Sequence, residues 1–327
     1  MSGANASVAA GAAAARDAVT PADGRSPRRP AGRRDLSERA LGAILLAPAA
    51  LLLLVIVVYP IGALFWTSLH GVDNANPAAG EAWVGVANYA RAFDDARFWR
   101  SAWHTIGYIL VTVPASLVIG LGLALLANKP FRVQWPVRLG LLLPWALPLV
   151  FAGLIFRWFF EYRTGVVNDV LVRLGIEPLQ WLSDPDLAFA AICMGITWKA
   201  SSFMALMLLA GLQSIPRSLY EAAEVDGASK WQQFVEITLP MLRPAIVVAL
   251  IFRTITAIQT FDIPFAMTGG GPGDSTETLA MYIYKVTLDF LDFGYGSALA
   301  ALMFVLSMAA TSGYLRFTRR SASRQDA

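Results

Sequence analysis

Between Glu221 and Pro240 the chain reads EAAEVDGASKWQQFVEITLP, a run with five charged residues and two glutamines set between two long apolar segments. Just upstream, Ser214 and Pro216 form a helix start, and Gly227 suits the left-handed residue that closes a helix. Leu219, Ala222 and Ala223 recur at helical spacing and predict one small apolar face. Ser229 and Gln232 make an S-x-x-Q capping box for a second short helix. Trp231, Phe234 and Val235 lie on one side of that helix, and Pro240 and Pro244 are expected to end it and open the next segment. Residues 214–240 therefore read as a soluble-looking helical hairpin inside a chain of different character.

That character is set by composition. Of 327 residues, 56% are hydrophobic and only 15% are charged, against about 25% charged in ordinary globular proteins. Mean hydropathy is +0.54. The missing charge is concentrated in long apolar runs, the mark of membrane spans rather than of a large core. Since roughly 20 apolar residues cross a bilayer, six spans are expected, near 42–66 (interrupted by Pro60), 103–127, 139–160, 187–212, 245–268 and 296–316. Continuous apolar runs predict helices and not the alternating strands of a barrel, so the fold class is an all-α polytopic membrane protein. Residues 1–40 hold almost no large apolar residues and are expected to be a disordered tail. RRDLSERA at 33–40 has the look of a twin-arginine export signal, but the apolar run that follows, Leu41 to Val72, is too long for a signal core, and a retained anchor is expected.

The net charge of +3 does not point to nucleic acid, because the basic residues gather in the tail and beside span ends, where they set membrane orientation. With the N-terminus cytoplasmic, that side holds 17 of the 26 Lys and Arg. The opposite loops hold Arg91, Arg97, Arg100, Arg163, Arg173 and Lys285. Both termini and the hairpin are thus expected inside, with Trp66, Trp103, Trp158 and Trp181 near the outer boundary. Cys193 stands alone in an apolar run and builds neither disulfide nor metal site. His70 and His104 read as polar residues near span ends. GGGPGDST at 269–276 lacks the G-K-[ST] ending of a phosphate loop and reads as an external turn, so any ATP chemistry belongs to another chain. No metal-ligand cluster or nucleophile–base set stands out, and no cofactor is expected.

Charges inside spans are costly and mark candidate sites. Arg157 sits near an outer boundary and can snorkel. Lys199 lies mid-span in ITWKASSFM, either as a substrate contact or as an ion-pair partner of Asp262. Arg253 and Asp262, nine residues apart on one helix, are expected to face opposite sides. Thr256, Gln259 and Thr260 share one helical face and would offer a solute three hydrogen-bonding groups; the alternative is that the threonines bond to their own helix. Lys199, Thr256, Gln259, Thr260 and Asp262 are the candidate substrate-path residues.

Glu221-Ala222-Ala223, Asp226-Gly227-Ala228, Ile237, Leu239 and Pro240 resemble, residue by residue, the EAA loop of the permeases of binding-protein-dependent ABC importers. The stretch AMTGGGPGDSTETLAMYIYKVTLDFLDFGYGSALA at 266–300 resembles the region after the fifth span of permeases for sugars and related polyols, and LLAPAALLLLVIVVYPIGALFWTSL at 45–69 resembles their first span. The likeness covers residues 40–317, with a first transmembrane helix at 41–69, a permease core at 100–317 and a C-terminal tail at 318–327. It implies a type I ABC importer permease fold in a bacterial inner membrane. It implies a hairpin in which Glu221, Ala222, Ala223, Asp226 and Gly227 couple to an ATPase. Its implied partners are a second homologous permease, two ATP-binding subunits and an external solute-binding protein. The implied chain catalyses nothing itself. It departs from the founding maltose permeases, one of which has extra spans and a large external insertion, so substrate contacts of that long form do not carry over. The alternative class is a stand-alone ion-coupled secondary transporter, although the inverted repeats common in that class are not visible.

Overall fold

A computed structural model describes residues 37–72, 81–129 and 135–322. Most of the expected N-terminal tail, part of the basic loop after the second span, and residues 323–327 lie outside the described residues. Five helical stretches are long and apolar enough to cross a bilayer, and six if one bent pair counts as a span.

The chain divides at Val58 into two compact units. The first unit contributes α1 (Glu38–Leu53) and a π-helical turn, Leu54–Val58. Leu45, Leu46, Leu52 and Ile56 are all exposed, the pattern of a helix that is apolar on every side and meets lipid.

The second unit opens with α2 (Tyr59–Ser68), whose helical geometry continues through Pro60. That proline does not interrupt the span: helix runs unbroken from Leu41 to Ser68, and the π-helical turn just before Pro60 widens the ladder where the proline has no N–H to donate. Two-residue strands β1 (His70–Gly71) and β2 (Ala82–Trp83) pair antiparallel. After α3 (Ala87–Asp94), the long helices α4 (Ala96–Asn128) and α8 (Pro185–Gln213) form the central pair. They approach closely because their facing residues are small: a Cβ placed on Gly120 would lie 2.6 Å from the Met204 Cβ. Ser116, Ala124, Ser201 and Ala205 are buried around that point, as membrane helix pairs require.

The third span is not the straight helix expected at 139–160. It is two helices, α5 (Trp135–Ala146) and α6 (Leu149–Phe159), bent by 98°. The cause is written in LPWALP: Pro148 forces the preceding Leu147 out of the α region and the ladder stops. Beyond α6 a short α7 (Val166–Arg173) precedes α8.

The fifth span is also displaced from its expected 245–268. Helix runs without a break from Lys230 to Ile258, through α10 (Lys230–Gln233), a π-helical segment Phe234–Thr238, and α11 (Leu239–Ile258). Pro240 and Pro244 therefore do not end the second hairpin helix. The Leu239 N–H reaches back to the Phe234 carbonyl, and this wider turn accommodates the proline that follows. The helix stops instead at Gln259, and a separate α12 (Asp262–Thr268) begins three residues later. A glycine-rich turn leads to α13 (Leu279–Tyr284), and α14 (Phe293–Ala322) closes the fold against α2. The sixth span, Phe293–Tyr314, falls close to its expected place, and α14 continues beyond it as helix through residues 318–322 of the predicted tail.

Candidate functional site

Two helix breaks meet across one cavity. It measures about 540 Å³ and is lined by Trp145, Leu147 and Pro148 at the α5–α6 elbow and by Gln259, Thr260, Phe261 and Asp262 at the α11–α12 break. Lys199, Arg253 and Thr256 complete its polar wall. All five substrate-path candidates thus reach one cavity. Irregular backbone at membrane depth is tolerated where it lines such a space, since its free polar groups need partners other than lipid.

Lys199 shows how the elbow is held. Its Nζ donates to the carbonyls of Pro144 at 3.0 Å, Trp145 at 3.2 Å, and Leu147. The first two belong to the last turn of α5, where carbonyls have no helical partner, and a cation there also complements the helix dipole. The ion pair between Lys199 and Asp262 is not formed; the ammonium is committed to backbone. Cut short at Ile258, the helix also no longer supports the argument that Arg253 and Asp262 face opposite sides, and both line the cavity. Nor do Thr256, Gln259 and Thr260 share a continuous helical face; the break turns the last two into the cavity by another route. The Thr256 Oγ1 donates to the Arg253 carbonyl at 2.9 Å.

Arg253 is buried, 4% exposed. Its Nη2 donates to Thr112 Oγ1 on α4 at 2.6 Å, its Nη1 reaches Thr256 Oγ1 at 3.5 Å, and its Nε has no partner. Sequence reasoning left Arg253 aside because the predicted helix ran on to 268. LPWALP and the Thr260-Phe261-Asp262-Ile263-Pro264 run were the available signals that both helices break.

The hairpin lies at the far end of the α10–α11 helix. Its first arm, α9 (Arg217–Val225), buries no residue. Gly227 adopts φ +78°, the Ala228 N–H bonds the Ala223 carbonyl at 2.8 Å, and the Gly227 N–H bonds the Glu224 carbonyl at 3.1 Å. These two bonds are a Schellman closure, which needs a residue without a Cβ at its left-handed position. The Ser229–Gln232 capping box is present in both directions. Tyr220 Oη and Thr238 Oγ1, 2.9 Å apart, tie α9 to the long helix. Lys230 pairs with Glu224 across the turn, and that hydrogen bond and charge hold the Glu224 carboxyl below its usual value. Glu221, Ala222, Asp226 and Gly227 are exposed, and Ala223 is half-buried. Val225 is 88% and Trp231 71% exposed, so apolar side chains stand outward from an acidic surface.

A third polar centre was not anticipated. Glu277, fully buried, accepts both Arg97 Nε at 2.8 Å and Nη2 at 2.9 Å, Lys285 Nζ at 2.7 Å and Ser101 Oγ at 3.2 Å. Asp274 joins Arg97 at 3.1 Å and Lys285 at 3.2 Å. Burial pushes the Glu277 carboxyl up, but Arg97 and Lys285 outweigh it and hold the group below its usual 4.5. Gly269, Gly270 and Gly273, all at positive φ, let GGGPGDST fold back over this cluster. Thr278 Oγ1 donates to the Thr260 carbonyl at 2.7 Å, which links the turn to the cavity rim.

Residues 116–323 match the family described as binding-protein-dependent transport system inner membrane component. The chain is 63% identical to the sulfoquinovosyl glycerol transport system permease protein SmoG of Agrobacterium fabrum, over 87% of this chain and 92% of the relative. It is 39% identical to the trehalose/maltose transport system permease protein MalF of Thermococcus litoralis, over 86% and 95%. Its fold is similar to that of a chain in the crystal structure of a bacterial ABC transporter that imports the acidic polysaccharide alginate, with a TM-score of 0.75 at 24% identity, covering 86% of this chain and 95% of that one.

Proposed function

Because the chain belongs to the family of binding-protein-dependent transport system inner membrane components, we propose that it is a permease subunit that pairs with a second homologous permease to enclose the path of a sugar-derived solute. Two ATP-binding subunits dock on the cytoplasmic side and hydrolyse the nucleotide, and a solute-binding protein delivers substrate from outside. The basic residues support this orientation, with hairpin and both termini inside.

The observation that carries the mechanism is the single helix from Lys230 to Ile258. One end begins in the exposed hairpin and the other ends at the cavity. At 1.5 Å per residue its 29 residues span about 43 Å, enough to cross the hydrocarbon core. Nucleotide-driven closure of the ATPase pair would press on Glu221, Ala222, Ala223, Asp226 and Gly227. The Tyr220–Thr238 bond and the capped turn would pass that movement to the helix as a rigid body. At its far end Thr256, Gln259 and Thr260 supply hydroxyl and amide groups, and Trp145, Phe203 and Phe261 supply apolar faces. That combination suits a hydroxyl-rich glycoside, the class named for the two relatives. A secondary transporter is not favoured: Lys199 serves backbone carbonyls and forms no titrating pair with Asp262.

The test is ATP-driven uptake in proteoliposomes holding the complete transporter. Glu221→Lys reverses the charge of the docking surface, and Gly227→Pro cannot adopt φ +78°. Both variants are expected to reach the membrane and lose uptake. Normal uptake by either, or gradient-driven uptake by this chain alone, refutes the reading.

A further inference from the structure

The guanidinium of Arg253 is the most deeply buried charge on the cavity wall. Nη2 is satisfied by a neutral threonine, Nη1 barely reaches another, and Nε is left over. Among the described residues no carboxylate lies within ion-pair distance of it; Asp262, on the same wall, makes no ion pair. Lys199, the other cation there, spends its donors on three carbonyls. A purely structural bridge to Thr112 would not need a charge, since a neutral amide donates equally well. A buried charge with neither counter-ion nor full hydrogen bonding is costly to keep, and it is accounted for when the transient occupant supplies the counter-charge.

We infer that Arg253 is the anion-recognition residue of this cavity, and that the solute it passes is a glycoside bearing a strong-acid group such as a sulfonate. This rests on the permease reading above. A guanidinium presents parallel N–H donors in a planar fork that fits the oxygens of such a group. The dry surroundings strengthen that bond relative to water. Gln259, beside it on the wall, is left to the sugar hydroxyls, and the aromatic residues to the pyranose face.

The experiment uses the complete transporter twice. ATP-driven uptake of sulfoquinovosyl glycerol by the wild type, with its binding protein, tests the permease reading; no uptake of any glycoside sinks that reading first. Calorimetric titration of the complex in nanodiscs, without the binding protein, then compares sulfoquinovosyl glycerol with glucosyl glycerol, its counterpart with hydroxyl in place of sulfonate. The wild type should prefer the sulfonated glycoside. Arg253→Gln should bind it roughly 10- to 100-fold more weakly, the range of one charged hydrogen bond, while affinity for glucosyl glycerol stays within about twofold. Arg253→Lys, which keeps the charge and serves if the glutamine variant does not assemble, should retain the preference at severalfold lower affinity. An equal fall for both glycosides in these variants makes Arg253 a structural residue and overturns the inference. An unchanged preference, or a wild type that does not bind the sulfonated glycoside, overturns it as well.

Discussion

Replacing Lys199 with methionine separates the elbow-holding role seen in the structure from the solute contact that the sequence left open. Methionine matches much of the side-chain volume but donates nothing, so the carbonyls of Pro144, Trp145 and Leu147 lose their shared partner. An orphaned buried acceptor costs about 1–3 kcal/mol. The cavity rim gives water some access, which favours the lower end, or about 3 kcal/mol for the three. Loss of a cation at the α5 C-terminus adds about 0.5 kcal/mol, and relief from burying an ammonium, 9% exposed here, returns part of it. The net expectation is a loss of roughly 2–3 kcal/mol. Reversible unfolding of the purified transporter in mixed detergent–lipid micelles reads this directly, and uptake kinetics of the assembled fraction should show KM near that of the wild type. The reasoning fails if Lys199→Met unfolds within about 0.5 kcal/mol of the wild type while KM rises tenfold. That outcome would make Lys199 a solute contact and leave the elbow held by something else.

Glu277→Gln should cost about 2 kcal/mol, less than the 3–5 kcal/mol of a fully buried broken pair, because Arg97 and Lys285 are 25% and 19% exposed and keep Asp274. Its pH signature follows from a folded-state value below 4.5. The stabilisation is present above the unfolded value and lost as pH falls through the folded one, so denaturation curves between pH 7 and 3 should show an acid-labile increment in the wild type that the glutamine variant lacks. Gly120→Leu forces side-chain atoms into a gap where a Cβ already lies 2.6 Å from Met204 and 3.1 Å from the Ala205 nitrogen. A loss of about 2–3 kcal/mol is expected in the same unfolding assay, and wild-type stability would mean that α4 and α8 are not held in contact there.

The turn of the hairpin was legible because what forms it is local. Ser229 and Gln232 cap each other at a separation of three, and Gly227 marks a left-handed residue whatever surrounds it. The number of spans was legible for a related reason, since apolar length depends on the bilayer and not on neighbours. What could not be read were features decided by tertiary partners. Pro148 breaks a span and Pro240 does not, although both sit in apolar helical pattern. The first break is made tolerable by Lys199 from another helix, and the second proline is absorbed by a π-helical turn. The Glu277 cluster joins residues about 180 positions apart, a pairing that no spacing rule addresses. The candidate substrate-path residues were picked out by polarity, yet their common cavity arises from two breaks, and the continuous helix assumed for 245–268 set Arg253 and Asp262 on opposite faces.

These misreadings share a physical lesson about how such a cavity can move. On the proposed coupling, one wall belongs to the long helix that starts in the hairpin, and the opposite wall belongs to an elbow tied to α8 by Lys199. A helix interrupted at Gln259 can shift its end without breaking any of its own hydrogen bonds, because the ladder already stops there. The ladder is likewise interrupted at the elbow: the Pro148 carbonyl accepts from the Ala152 N–H and only opens α6, while the Leu147 carbonyl is held by a side chain on the central pair. Displacement of the hairpin would therefore change the distance between Arg253 and the elbow while both helices stay intact. A continuous fifth span would have had to bend or unwind to do the same, at a cost that rises with every ladder bond lost. On the proposed coupling, the breaks are what would permit a rigid rod to reshape the cavity.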